Sequence, residues 1–318
     1  MLPNNWRPWK WVPSRELHHP SHQGVPLTTV DTALSAAANA GLARLDSQLL
    51  LLHAWGQAPQ SAGALRAWLL AHGDDALPPE VQVRFEGLVQ RRSSGEPLAY
   101  LTGHKEFFGL ALAVDARVLI PRPDTELLVS WALEVLAGPW ATAPQRSPSV
   151  LDLGTGSGAV ALAIKHGQPQ AQVDAVDASA DAVAVAESNA RALGLQVRFL
   201  VGDWLQPVRG RYDCIVSNPP YVADADPHLP ALRHEPLQAL VAGPDGLQDI
   251  RTITAAAANH LHPGGSLLVE HGYDQGPAVR SLLAHAGFTE ITTRRDLAGH
   301  ERCTGGRVIR NALPPLVK

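Results

Sequence analysis

Apolar positions recur at helical spacing through the first third of the chain. Leu45, Leu49 and Leu52 share one face, as do Leu65, Trp68 and Leu69, and then Val81, Phe85 and Leu88. Thr28 with Asp31 three residues later predicts a capping box opening a helix over 28–40. Ser61 is placed to cap a third helix, and Pro78–Pro79 opens a fourth, where the fixed φ of proline is tolerated. Glycines at 41, 56, 73 and 95 follow these segments, where a left-handed C-cap suits them. The spacing therefore predicts a helical bundle over 27–95. The period then changes. Leu110, Leu112 and Val114 alternate with small residues, Val118–Ile120 is a second apolar run, and Asp115–Ala116–Arg117 lies between them. This predicts a β-hairpin over 96–123 with its turn at 115–117. Asp124 then opens a helix to about Leu136.

From residue 149 strand and helix signals alternate. Strands are expected at Val150–Leu153, Gln172–Val176, Val197–Val201, Tyr212–Ser217, Ser266–Glu270, Ile291–Thr293 and Arg307–Arg310. Helices are expected from Ala159, over Ala180–Leu193, Leu247–His262 and about Ala278–Ala286. Repeated βα units imply an α/β fold with a mostly parallel, doubly wound sheet. The short connection between the last two strands makes the final one antiparallel. Residues 1–26 carry Trp6, Trp9, Trp11, His18, His19 and His22 but no period, and read as an irregular extension. The expected organisation is extension 1–26, bundle 27–95, hairpin linker 96–123 and an α/β domain over 124–318.

Composition narrows the class. A chain of 318 residues with 45% hydrophobic and 18% charged residues is long enough for a real core and is not disordered throughout. The net charge of −4 gives no overall basic footprint for nucleic acid, and direct nucleic-acid binding is not expected. Two cysteines, Cys214 and Cys303, exclude a disulfide framework and a multi-cysteine zinc site. No run of 18 apolar residues and no apolar leader occur, so a cytoplasmic setting without membrane contact is expected. The His18/His19/His22 cluster is the one metal candidate, and no metal site is expected.

The chemistry concentrates at strand ends. Gly154–Thr155–Gly156–Ser157–Gly158 follows a strand and opens a helix, so a ligand can approach its backbone closely. With Ala159 it also fits the looser G-x-G-x-x-A pattern, shared by dehydrogenases and methyltransferases. Asp177 ends the next strand, where a carboxylate can accept both hydroxyls of a ribose, which suits NAD or S-adenosyl-L-methionine (SAM) equally. Asp203 is placed to receive an adenine amino group, and Trp204 offers a flat wall for the ring.

Ser217–Asn218–Pro219–Pro220–Tyr221 ends the fourth strand, at the expected switch point of the sheet. A planar nitrogen is a poor nucleophile because its lone pair is delocalised. The Asn218 side-chain carbonyl and the Pro219 main-chain carbonyl can bind its two N–H groups, and Tyr221 can stack on the planar group. Prolines stiffen that geometry. Catalysis is then mainly alignment and electrostatics, with no strong base. Hydride transfer needs none of this. Glu270 and His271, which end the fifth strand, read as structural, and no catalytic role is expected for His228 or His234.

Asn218–Tyr221 resembles the signature of methyltransferases acting on planar nitrogen, shared by adenine-N6 and protein-glutamine N5 enzymes. Two further stretches separate them. Gly95–Gly103 with Glu106–Phe107, and Leu119–Glu126, closely resemble the bacterial release factor glutamine methyltransferase family. The resemblance covers residues 27 to about 310. It implies a Rossmann-like SAM-dependent methyltransferase domain with an N-terminal helical bundle and a β-hairpin connector. It implies SAM as methyl donor and, as substrate, the glutamine of the Gly-Gly-Gln loop in class-1 peptide release factors. By position, Gly154–Gly158, Asp177, Trp204 and Asn218 would contact SAM, and Asn218–Tyr221 the glutamine. Phe107 and Arg122 would lie near the entrance. A sister family acting on a ribosomal-protein glutamine departs at the Arg122–Glu126 stretch, which is intact here. The adenine enzyme remains the other alternative, and it predicts a basic groove and a target-recognition domain that are not evident. A non-catalytic binding module would show a damaged glycine loop or Asn218 motif.

Overall fold

A computed structural model describes residues 28–57, 62–138 and 146–309. The irregular extension with its histidine cluster, the Ser61 cap and Arg310 lie outside the described residues. The bundle contains α1 (Val30–Asn39), α2 (Arg44–Trp55), α3 (Ala62–His72) and α4 (Pro79–Ser93), and a short α5 (Leu98–Thr102) at the start of the linker segment packs against it. The capping box sits one residue later than expected. Thr29 caps α1 and exchanges hydrogen bonds with Thr32, because the Thr28 carbonyl is taken up by the Leu77 amide at 2.8 Å. The buried stripe of α2 also differs: Leu50, Leu51 and Ala54 enter the bundle core, whereas Leu45 is exposed. Val81 and Phe85 of α4 and Val30 of α1 complete that core.

The linker hairpin pairs β1 (His104–Phe107) with β2 (Leu110–Ala113). Its turn is Phe108–Gly109, not Asp115–Arg117, and both turn residues have positive φ. Type I′ geometry usually advertises itself as Asn-Gly or Asp-Gly, and phenylalanine at the first position hides it. Asp115 instead accepts from the Arg117 backbone and guanidinium, and Val118–Ile120 forms no strand.

Among the described residues, seven strands form one sheet in the order β5-β4-β3-β6-β7-β9-β8. They are β3 (Ser149–Leu153), β4 (Gln172–Asp177), β5 (Arg198–Val201), β6 (Tyr212–Ser217), β7 (Leu261–Glu270), β8 (Thr289–Arg295) and β9 (Glu301–Arg307). Every pair from β5 to β7 is parallel, and β9 runs antiparallel to both β7 and β8. The final strand thus begins six residues before the expected Arg307. Its inner segment reads Cys303–Thr304–Gly305–Gly306, which shows no apolar alternation. A Cβ on Gly305 would meet Trp131 at 2.9 Å, so a bare backbone is what fits there.

Helices α6 (Glu126–Ala137), α7 (Ala159–Gly167), α8 (Ala180–Leu193), α9 (Gln248–Ala257) and α10 (Gly276–His285) cover the sheet. Alternate residues of β3 feed two cores: Val150 joins Leu128, Val129 and Leu162, whereas Leu151 and Leu153 join Ile215, Ile250 and Val279. A sheet buried on both faces explains the near-continuous apolar runs of its strands. The chain moves outward from β3 through β4 to β5, then returns past β3 to β6. That reversal opens a crevice at the carboxyl ends of β3 and β6. No helix among the described residues is long and apolar enough to cross a membrane.

Candidate functional site

The loop after β3 hangs on its neighbour. The Gly154 and Thr155 amides both donate to the Val176 carbonyl, at 2.9 and 3.0 Å. Asp152, buried at the end of β3, accepts from the Thr155 hydroxyl at 2.7 Å and from the Ala161 amide at 3.2 Å. Burial pushes its pKa up to about 7. Asp152 therefore moulds the loop, a role its place in an apolar strand did not suggest.

A cavity opens above this loop, and Gly154, Gly156, Asp177, Asp203, Trp204, Asn218 and Pro220 all line it. Gly154 has φ +73°, and a Cβ there would lie 3.3 Å from the Trp204 ring. Glycine keeps clear the point where these two walls meet. Thr155, Ser157 and Gly158 do not line the cavity. Ser157 is buried with its carbonyl bonded to Asn189, and Gly158 caps α7. They hold the loop in shape from behind.

Asp177 ends β4. One of its oxygens accepts from the Gly156 amide at 2.8 Å and the other from the Ser179 amide at 2.9 Å, which leaves each with further acceptor capacity. Burial raises its pKa. Trp204 sits at φ +43°, strained for a non-glycine residue, and its indole faces the Asp249 carboxylate of α9, whose ionised form it favours. Asp203 is exposed and accepts from Gln206.

Asn218 leaves β6 at the crevice. Its Nδ2 donates to the Thr125 hydroxyl at 3.1 Å, so Oδ1 remains for a ligand. Pro219 is buried. Tyr221 is half-buried, with its carbonyl accepting from the Gln275 side chain at 3.0 Å and its hydroxyl pKa raised by burial and by nearby Glu270.

The Ile120–Glu126 stretch acts as a strap, and most of its residues tie a different element to the site. The Ile120 amide and the Arg122 guanidinium both bind the buried carboxylate of Glu235, in the loop after Tyr221. Asp124 pairs with Arg302 of β9 at 3.4 Å. Thr125 holds Asn218, and Glu126 accepts from the Phe108 amide at 3.1 Å in the hairpin turn. Arg122 is thus a clasp on the loop. Phe107 is a core residue, 1% exposed among Leu110, Leu112 and Leu128, and not an entrance residue. His228 is exposed beside Asp226. His271 bonds Thr304 of β9 at 2.7 Å and fastens that strand. Cys214 packs inside β6. Asn189 of α8 is buried and bridges Ala113 of β2 to Ser157, so it joins hairpin and glycine loop. As one polar residue on a helix, it carried no sequence signal.

Residues 30–103 match the family described as PrmC N-terminal domain, and residues 133–235 the family described as Methyltransferase small domain. A release factor glutamine methyltransferase of Bordetella pertussis is 50% identical over 273 residues, covering 85% of this chain and 96% of its own. That of Pseudomonas aeruginosa is 48% identical over 287 residues, covering 88% and 99%. Among solved structures, the hMettl16 catalytic domain in complex with MAT2A 3'UTR hairpin 6 superposes with a TM-score of 0.51 at 14% identity, over 74% of this chain and 84% of that one, a likeness of fold alone. With near-complete coverage of relatives at this identity, the chain belongs to the release factor glutamine methyltransferase family.

Proposed function

We propose that this protein transfers a methyl group from SAM to the side-chain amide nitrogen (N5) of the glutamine in the Gly-Gly-Gln loop of class-1 peptide release factors. The observation that carries this reading is Asn218. It borders the glycine-loop cavity, its Nδ2 is engaged by Thr125, and its carbonyl is left to accept from a planar N–H. The division into bundle 27–95, linker 96–123 and methyltransferase domain 124–318 is part of the proposal.

The residues present fit SAM. A side chain at Gly154 would crowd the cavity floor, and Asp177 presents a half-buried carboxylate with acceptor capacity to spare. Asp177 would hold the ribose hydroxyls, Trp204 the face of the adenine and Asp203 its amino group. Gly154 and Gly156 would let the backbone approach, supported by Thr155, Ser157 and Gly158. SAM, when bound, supplies an electrophilic methyl group, and the amide nitrogen that takes it up loses one proton.

The protein's own contribution is alignment. Asn218 Oδ1 and the Pro219 carbonyl accept the two N–H groups of the glutamine amide, fixing the nitrogen and raising its electron density. Pro219 and Pro220 hold these acceptors rigid, and Tyr221 covers the planar group. Such preorganisation removes the entropic cost of orientation at the moment of reaction.

The test is transfer of labelled methyl from SAM to a purified class-1 release factor, to a copy with its Gly-Gly-Gln glutamine replaced, and to DNA. Label on the unaltered factor alone is expected. Label on DNA, or equal label on both factors, would refute the reading.

A further inference from the structure

Beyond Thr125 lies a carboxylate that the reaction as described leaves unused. Glu270 ends β7, is 1% exposed, and neither of its oxygens has a hydrogen-bond partner. A buried carboxylate without partners is costly, and it is rarely kept without a role. The groups that face it come from three other parts of the fold: Asp124 and Thr125 of the strap, Tyr221 after β6, and Arg302 and Cys303 of β9. The Thr125 hydroxyl has one proton and already accepts from Asn218 Nδ2. Its own proton is therefore available to the neighbouring Glu270, whose pKa the Thr125 hydroxyl already lowers.

We propose that Glu270, acting through the Thr125 hydroxyl, is a positioning residue that keeps the Asn218 amide turned with Oδ1 toward the target nitrogen. The inference rests on the function proposed above. It matters because an asparagine amide can flip with little change of shape, exchanging its acceptor for donors. A flipped Asn218 would set its NH₂ against the NH₂ of the glutamine. An ionised Glu270 accepts a hydrogen bond from the Thr125 hydroxyl, so the Thr125 oxygen accepts from Nδ2 and the productive orientation holds. A protonated Glu270 donates to the Thr125 oxygen and frees the Thr125 proton for Oδ1, which favours the flipped amide. Burial pushes the Glu270 pKa up to about 7, with the Thr125 hydroxyl, Arg302 and the Tyr221 hydroxyl opposing and Asp124 adding to the rise. Tyr221 and Cys303 are raised by burial and stay protonated there. The switch therefore lies near neutrality.

The experiment uses the full chain, a Gly-Gly-Gln-containing release factor and saturating SAM, and follows the single-turnover transfer rate from roughly pH 5 to 9. Calorimetry gives the SAM affinity in parallel. Wild-type transfer is expected to slow through one ionisation near 7 as the pH falls. Thr125→Val, nearly isosteric, slows transfer about tenfold or more while SAM affinity stays within about twofold. Thr125→Ser restores the hydroxyl and the rate to within about threefold. Glu270→Gln transfers slowly with no ionisation near 7. Wild-type rates in Thr125→Val, or a wild-type pH profile in Glu270→Gln, overturn the inference. So does a loss in Thr125→Val matched by an equal loss of SAM affinity, which marks a merely structural role. A wild-type protein that labels no release factor overturns the functional reading itself, and this inference with it.

Discussion

Gly246 offers the sharpest structural test of the Asn218–Tyr221 geometry, although it touches no ligand in the proposed site. It has φ +69° and lies against the Tyr221 main chain, and Gln275 bonds to both carbonyls. An alanine Cβ there would sit 2.9 Å from the Tyr221 carbonyl carbon and closer still to its oxygen, where ordinary contact begins at 3.4 Å. Tyr221 must retreat by about 0.5 Å at the carbon and further at the oxygen, on the order of 1 Å, a displacement that can cost about a hundredfold in rate at a preorganised site. The left-handed backbone adds about 1–2 kcal/mol of strain to the folded state. Gly246→Ala should therefore lower kcat roughly a hundredfold while SAM affinity stays within about threefold, since Gly154, Asp177 and Trp204 lie on other strand ends. Gly243→Ala is the control. It has a similar φ of +78° in the same loop, but its Cβ would meet the flexible end of the Gln248 side chain, which can move away. Single-turnover transfer and calorimetry on both variants decide the matter. Equal rate losses in the two would show that loop strain, not displacement of Tyr221, controls the rate, and a wild-type rate in Gly246→Ala would show that the Tyr221 main chain does not set it.

Three further outcomes are expected. Asp177 has a raised pKa and its ionised form is the better acceptor for ribose hydroxyls, so SAM affinity should decline on acidification at a higher pH than an ordinary aspartate would give; calorimetry of Asp177→Asn should find weaker binding without that decline. Arg122→Ala leaves buried Glu235 with the Ile120 amide as its remaining described partner; because Arg122 is partly solvated, the cost should be about 1–3 kcal/mol in urea unfolding, and a double-mutant cycle with Glu235→Gln showing no coupling would refute the clasp. Asn189→Ala removes three hydrogen bonds, one buried and two part-buried, that join β2 to the glycine loop and should destabilise by about 2–4 kcal/mol, with faster amide exchange at Ala113; unchanged exchange would count against that bridge.

The parts of the molecule that announce themselves in sequence are those governed by local pattern. The strands β3, β4 and β6 are covered on both faces, so their apolar runs stand out, and the glycine loop and Asn218–Tyr221 fall at their carboxyl ends as the βα order requires. What stayed hidden depends on partners distant in the chain. Thr125 and Asn218 lie 93 positions apart, and Asn189 and Ala113 lie 76 apart. No local period marks either pair. Glu270 looked structural because a carboxylate at a strand end is commonplace, and only its burial without partners distinguishes it. The β9 strand escaped because glycine and threonine fill the place where apolar alternation would have been the signal, and Phe107 looked like an entrance residue because only its packing shows it to be core.

The role proposed for Asn218 is to align a glutamine amide nitrogen beside the glycine-loop cavity. Its most direct test is tandem mass spectrometry of the Gly-Gly-Gln peptide from a release factor incubated with SAM and either the wild-type protein or Asn218→Ala, with SAM affinity measured for both. A single methyl group is expected on the glutamine side-chain nitrogen with the wild type and none with Asn218→Ala, whose SAM binding largely survives. A methyl group on any other residue, or the same modification by Asn218→Ala, would contradict that role.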